Sequence, residues 1–197
     1  MKFKYNTMSF GKKENRINVI HLKKPLDNGF AGMITSGLFR ENIAVVVMKN
    51  EIDFPDCQFA CLSSAADNTS VKVEMEENIF YGIKRNDKMA RTVLFHELGH
   101  YYYNHLKNGT ADMEVYASER LDRALHSEVI PQELEADLFA ARYLGHDYVM
   151  TGLNMLIRQI SKDEAAEIAI AELRYRIEHI ALDAASECSK DDRFSRN

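Results

Sequence analysis

The chain predicts an α+β domain, with a mostly antiparallel sheet from its N-terminal half laid over one central helix and a helical C-terminal part. Three observations carry that reading. Short β-branched runs punctuated by turn residues fall within the first 85 positions. A long proline-free stretch follows, with two histidines one helical turn apart. Beyond residue 145 the apolar residues recur every third or fourth position.

The strand candidates are Ile17 to Leu22, Ile43 to Met48, Val71 to Met75 and Ile79 to Ile83. Asp27-Asn28-Gly29 and Asp67-Asn68-Thr69 supply turns between them. His21 lies in the first strand and reads as a core or solvent-facing residue rather than a ligand. Lys88 to Leu106 predicts the central helix. Asn86 or Asp87 caps its start, and Asn108-Gly109 ends it. Leu94, Leu98, Tyr101 and Tyr102 form its apolar stripe, which turns His96 and His100 toward a cleft.

A linker, Lys107 to Asp112, and a short helix, Met113 to His126, come next. Pro131 and Gly145 bracket a further helix, because proline suits a first turn and glycine the position past the last. Helices over Asp147 to Ile160 and Asp163 to Ala185 complete the chain. The second of these has Ile168, Ala171, Leu173, Ile177, Ile180 and Ala184 on its packed side. Residues 1–185 form one domain and 186–197 a polar tail that frays.

Composition narrows the setting. The 197 residues carry a net charge of −5, with a pI near 5.8 and no lysine or arginine run, which excludes a direct nucleic-acid binder. The first twenty residues hold charges throughout and no signal-peptide core. The longest apolar run, Ile43 to Met48, is far short of a membrane span. Cys57, Cys61 and Cys188 make no disulfide framework, and Cys57 with Cys61 makes at most half of a metal site. A cytoplasmic protein is the expectation.

The chemistry concentrates in His96-Glu97-Leu98-Gly99-His100. Residues i and i+4 share a helix face, so both imidazoles can reach one ion while Glu97 stands beside them as a proton acceptor. Gly99 costs a helix about 1 kcal/mol relative to alanine, which predicts close approach of another backbone there. Downstream, Glu133 and Asp137 point the same way, and Glu135 is turned about 200° from Glu133. Ala136, Ala140 and Ala141 let that helix lie close to a neighbour. Two carboxylates on one face beside small residues are costly to bury without a cation.

HELGH followed by Glu133-x-x-Ala136-Asp137 resembles the gluzincin zinc metallopeptidases over Met89 to Leu144. The resemblance implies a zincin-like fold with Zn2+ held by His96, His100 and Glu133. It makes Glu97 the catalytic base and Asp137 the acid that orients a ligand histidine. The short interval from His100 to Glu133, and Phe139-Ala140 after it, are similar to the ImmA/IrrE-type peptidases. The soluble minigluzincins related to the membrane HtpX-like peptidases stand second. Arg174-Tyr175-Arg176-Ile177 is faintly similar to a late arginine–isoleucine pair of the HtpX-like chains.

Such a resemblance implies a zinc-dependent endopeptidase acting on a narrow regulatory protein or peptide substrate, with a transcriptional repressor as one candidate. The sheet's edge strand would hold that substrate, and Val71 to Ile83 is the candidate edge. Tyr103, His105, Tyr116 and His126 are candidates to stabilise the oxyanion. The alternative is a catalytically silent, metal-bound module of the same fold that binds a peptide or protein. Intact Glu97 argues against it.

Overall fold

A computed structural model describes residues 4–48, 59–64, 70–105, 131–162 and 166–194; side chains of 64 and 188–194 are excluded. It has the expected α+β arrangement, with a six-stranded sheet first and helices after it. The strands are β1 (Tyr5–Phe10), β2 (Ile17–Leu22), β3 (Phe30–Ser36), β4 (Ile43–Val47), β5 (Ala60–Ser64) and β6 (Val71–Met75). The helices are α1 (Glu77–Lys84), α2 (Lys88–Tyr102), α3 (Pro131–Leu144), α4 (His146–Ile160) and α5 (Glu167–Phe194).

The sheet runs β1-β2-β3-β4-β6-β5. Every pairing is antiparallel except β4 with β6. β6 is therefore an inner strand, and the edge beyond it is β5. The expected edge, Val71 to Ile83, is corrected in two ways: its first half lies inside the sheet, and Ile79 to Ile83 is helical. Ile79, Phe80 and Ile83 in α1 are all buried, a spacing that fits a helix face and breaks strand alternation.

β1, β3 and β5 are strands that sequence reading does not single out. β1 is mostly exposed, β3 carries a register shift between Phe30 and Gly32, and β5 reads Ala-Cys-Leu-Ser-Ser with no β-branched residue. The turn at Asp27-Asn28-Gly29 forms as expected, with the Asn28 side chain accepting from the Phe30 amide at 3.1 Å. The second turn, the linker after α2, the short helix over 113–126 and Cys57 lie outside the described residues.

The core lies between the sheet and α2. Ile17, Ile34, Val73 and Met75 from the sheet join Leu94, Phe95 and Leu98 from α2, all of them buried. Asp87 caps α2, accepting from the Ala90 amide at 2.9 Å. The helix stops at Tyr102 rather than Leu106, because Asn104 adopts φ 61°, a left-handed conformation that asparagine tolerates better than most residues. Tyr102 is 42 % exposed, so it leaves the expected apolar stripe.

α3 begins at Pro131 and ends before Gly145, which sits at φ 94°. α5 continues to Phe194, so the expected polar tail is helical through that residue. Its inner face consists of Glu172, Leu173, Arg176 and Ile180, whereas Ala171 is exposed. Among the described residues, no helix is long and apolar enough to cross a membrane.

Candidate metal centre

α2 and α3 pack against each other at Gly99. A Cβ on Gly99 would stand 2.7 Å from the Ala136 Cα and 2.8 Å from its carbonyl oxygen. The expected close approach is thus real. It is also what brings the ligand candidates on the two helices within reach of one another.

His96 Nε2 and His100 Nε2 stand 3.0 Å apart, and Glu133 reaches them at 3.3 and 3.6 Å. Donor atoms on a tetrahedral ion with bonds of about 2.0–2.1 Å are separated by roughly 3.3 Å. The 3.3 Å contact is made by Glu133 Oε2 and the 3.6 Å contact by Oε1; with one donor atom taken from each residue, the three lie within 4.8 Å of one another, close enough to share one divalent ion. Three buried carboxyl groups (Glu133, Asp137 and Glu172) gather about one buried guanidinium, Arg176. The surplus of acid is what a divalent cation would balance.

Behind His96, Nδ1 lies 2.8 Å from Asp137 Oδ1. With Nε2 turned to the ion position, Nδ1 carries the proton and donates to that oxygen. Asp137 is held in turn by Arg176, which donates from Nε to Oδ2 at 2.6 Å and from Nη2 to Oδ1 at 2.7 Å. The same guanidinium donates from Nη1 to Glu133 at 3.1 Å and to Glu172 at 3.4 Å. Burial works against ionisation of Asp137, yet Arg176 and His96 hold its carboxyl below the usual range.

Behind His100 the partner is different. His100 Nδ1 lies 2.9 Å from His105 Nδ1, and His105 Nε2 lies 3.0 Å from Glu135 Oε2. Of the oxyanion candidates, His105 therefore faces the rear of His100. Tyr103 accepts a hydrogen bond from Arg142 Nη1 at 3.0 Å. Tyr116 and His126 lie outside the described residues.

The metal-free site has an uneven charge distribution. Burial and Arg176 pull the His96 imidazole down, but Asp137 and Glu133 outweigh them and raise it to about 9. His100 is pushed down to about 3 by burial and by the charge on His96, against the pull of Glu133. Burial, helped by Glu133, raises Glu97 to about 7, while His96, the Leu62 amide and Arg176 oppose it. The Leu62 amide that lowers Glu97 is on β5, so the edge strand passes beside this carboxyl group, packed against α2. Cys61 on the same strand is a free, half-buried thiol, pushed up to about 11 by burial and the neighbouring Glu97 and Glu74.

Arg176 is the residue to which sequence reading assigns no role. It sits three positions after Leu173 and four before Ile180, on the buried side of α5. An arginine at such a position needs buried acids to meet, which is the available signal. A second group of donors, His146, Asp183 and Glu187, gathers where α4 meets α5. Glu187 there is exposed. Compared with protein-family models, curated proteins and solved structures, the chain matches none of them.

Proposed function

We propose that the protein is a zinc-dependent peptidase that cleaves within protein chains. The observation that carries the reading is the convergence of His96, His100 and Glu133, one donor atom from each within 4.8 Å of the others, with Glu97 beside them near the edge strand. His96, His100 and Glu133 would hold the ion, which when bound polarises a carbonyl and acidifies a water toward neutrality. Glu97 takes a proton from the attacking water as its oxygen bonds to the scissile carbonyl carbon. It returns that proton to the nitrogen as the C–N bond breaks, so the products are a free carboxyl and a free amine.

The substrate side follows from β5. Among the described residues β5 pairs with β6 on one side and with no strand on the other, and an extended segment can add there through its backbone. By its resemblance to the ImmA/IrrE-type peptidases, the chain would act on a regulatory protein in the cytoplasm, with a transcriptional repressor as the substrate to try first.

Elemental analysis of wild type, Glu133→Ala and Glu97→Gln, with cleavage of a peptide library read by mass spectrometry, tests the proposal. Zinc should be near stoichiometric in wild type and Glu97→Gln and lost from Glu133→Ala. Turnover should fall about 10²–10⁴-fold in Glu97→Gln. A wild type that takes up no zinc would overturn the peptidase reading. Zinc uptake with equal cleavage by Glu97→Gln would overturn the assignment of the base, and uptake with no cleavage would favour the silent binding module.

A further inference from the structure

Two imidazoles that hold one ion each need something behind them to fix the ring and the proton. For His96 that is the Asp137–Arg176 pair. For His100 the described residues offer His105, at 2.9 Å between the two Nδ1 atoms. We propose that His105 and Glu135 form an orienting relay that sets the tautomer and angle of His100, with His105 the positioning residue and Glu135 its anchor. The proposal rests on the metal-binding reading above and adds to it the way its second histidine is held.

The proton arrangement follows from hydrogen-bond inventory alone. His100 must present a bare Nε2 to an ion, so its proton is on Nδ1, which donates. His105 Nδ1 then has to accept, which places the His105 proton on Nε2. That atom faces Glu135 Oε2 at 3.0 Å, an acceptor. Every nitrogen in the row is satisfied in one direction only, from His100 through His105 to Glu135. The reverse tautomer of His105 would set two N–H groups against each other.

The backbone is shaped for this. Helical geometry continued past Tyr102 would put position 105 a quarter-turn or more away from the flank of His100. Asn104, at φ 61°, ends the helix and turns the chain back, and His105 is the residue that the turn delivers. The His105 side chain is only 11 % exposed, whereas Glu135 is 53 % exposed, so the relay runs from the site outward to solvent. The Tyr103 ring stacks on His105 at 17° between planes and is fixed by Arg142 of α3. Glu135 also belongs to α3, although it points away from Glu133 and looks at first like an ordinary surface acid.

Two measurements test this. In zinc-loaded, 15N-labelled wild type, one proton shared between His100 Nδ1 and His105 Nδ1 should produce a 15N–15N scalar coupling across the hydrogen bond. This readout requires no variant to fold. Zinc affinity, measured by competition with a chromophoric chelator, should fall about 10–100-fold in His105→Ala. It should return to within a few-fold in His105→Asn, whose Oδ1 accepts where Nδ1 did, and Glu135→Ala should cost a few-fold. No coupling together with a His105→Ala affinity within about twofold of wild type would overturn the relay. If Glu133→Ala also left zinc affinity unchanged, the metal reading itself would be the one to fail.

Discussion

The two histidines of one helical turn are backed in opposite ways. His96 leans on a buried carboxyl group that is itself clamped by a buried guanidinium. His100 leans on a second imidazole tied to an acid half in water. Their titration differs as well: Asp137 and Glu133 raise His96 to about 9 against burial, while burial and the charge on His96 lower His100 to about 3. In the metal-free site the pair therefore carries one positive charge, held at His96, whose Nε2 faces His100 Nε2 at 3.0 Å. The lesson is that equal ligands in a sequence motif become unequal through what stands behind them.

The strongest way to break this asymmetry is Arg176→Met. It removes the guanidinium that Glu133, Asp137 and Glu172 share in their buried cluster, and should cost about 3–5 kcal/mol in urea denaturation of the metal-free protein. Arg176→Lys should recover only part of that, because a point charge cannot bond both Asp137 oxygens in the same fork. A midpoint for Arg176→Met equal to wild type would show that the cluster is not a structural centre.

Gly99→Ala acts on both histidines together by forcing α2 away from α3. It should cost about 1–3 kcal/mol and widen the ligand set, so zinc affinity falls along with the midpoint. A third test uses the proton on His96. An ion must displace it at any pH below about 9, so apparent zinc affinity should rise about tenfold per pH unit up to there. Calorimetry at pH 7.5 in two buffers of different ionisation heat should find about one proton or more released per ion. None released would contradict the charged His96. The smallest effect belongs to the other side: Glu135→Gln should move folding stability by no more than about 0.5 kcal/mol, as an exposed residue does.

Legibility in the sequence tracks how local each feature is. The Asp87 cap, Pro131, Gly145 and the i,i+4 pairs His96/His100 and Glu133/Asp137 are local and are found where spacing puts them, whereas the end of α2 comes earlier than Asn108-Gly109 would set it. The strand order is not local. β5 lacks β-branched residues and takes its place only because β6 pairs with it. Ile79 to Ile83 fits both periods over five residues, and burial of Phe80 beside Ile79 decides for a helix. The role of Arg176 and the place of His105 behind His100 escape the sequence for a related reason. Each meets the site from another element or from beyond a left-handed turn, which no spacing rule encodes.

The contact between Gly99 and Ala136 has a consequence for how this chain can vary. Neither position has an excess of volume to trade, since glycine is already the smallest residue and the atoms it meets on α3 include backbone. A larger residue at 136 has no compensating reduction available at 99, and any side chain at 99 meets atoms that every substitution at 136 retains. In a mutational library selected for folding, position 99 should therefore tolerate almost nothing, however its neighbours are randomised, while Glu135 one residue from Ala136 accepts most replacements. The tolerance map would trace the helix crossing before any metal or substrate had been supplied.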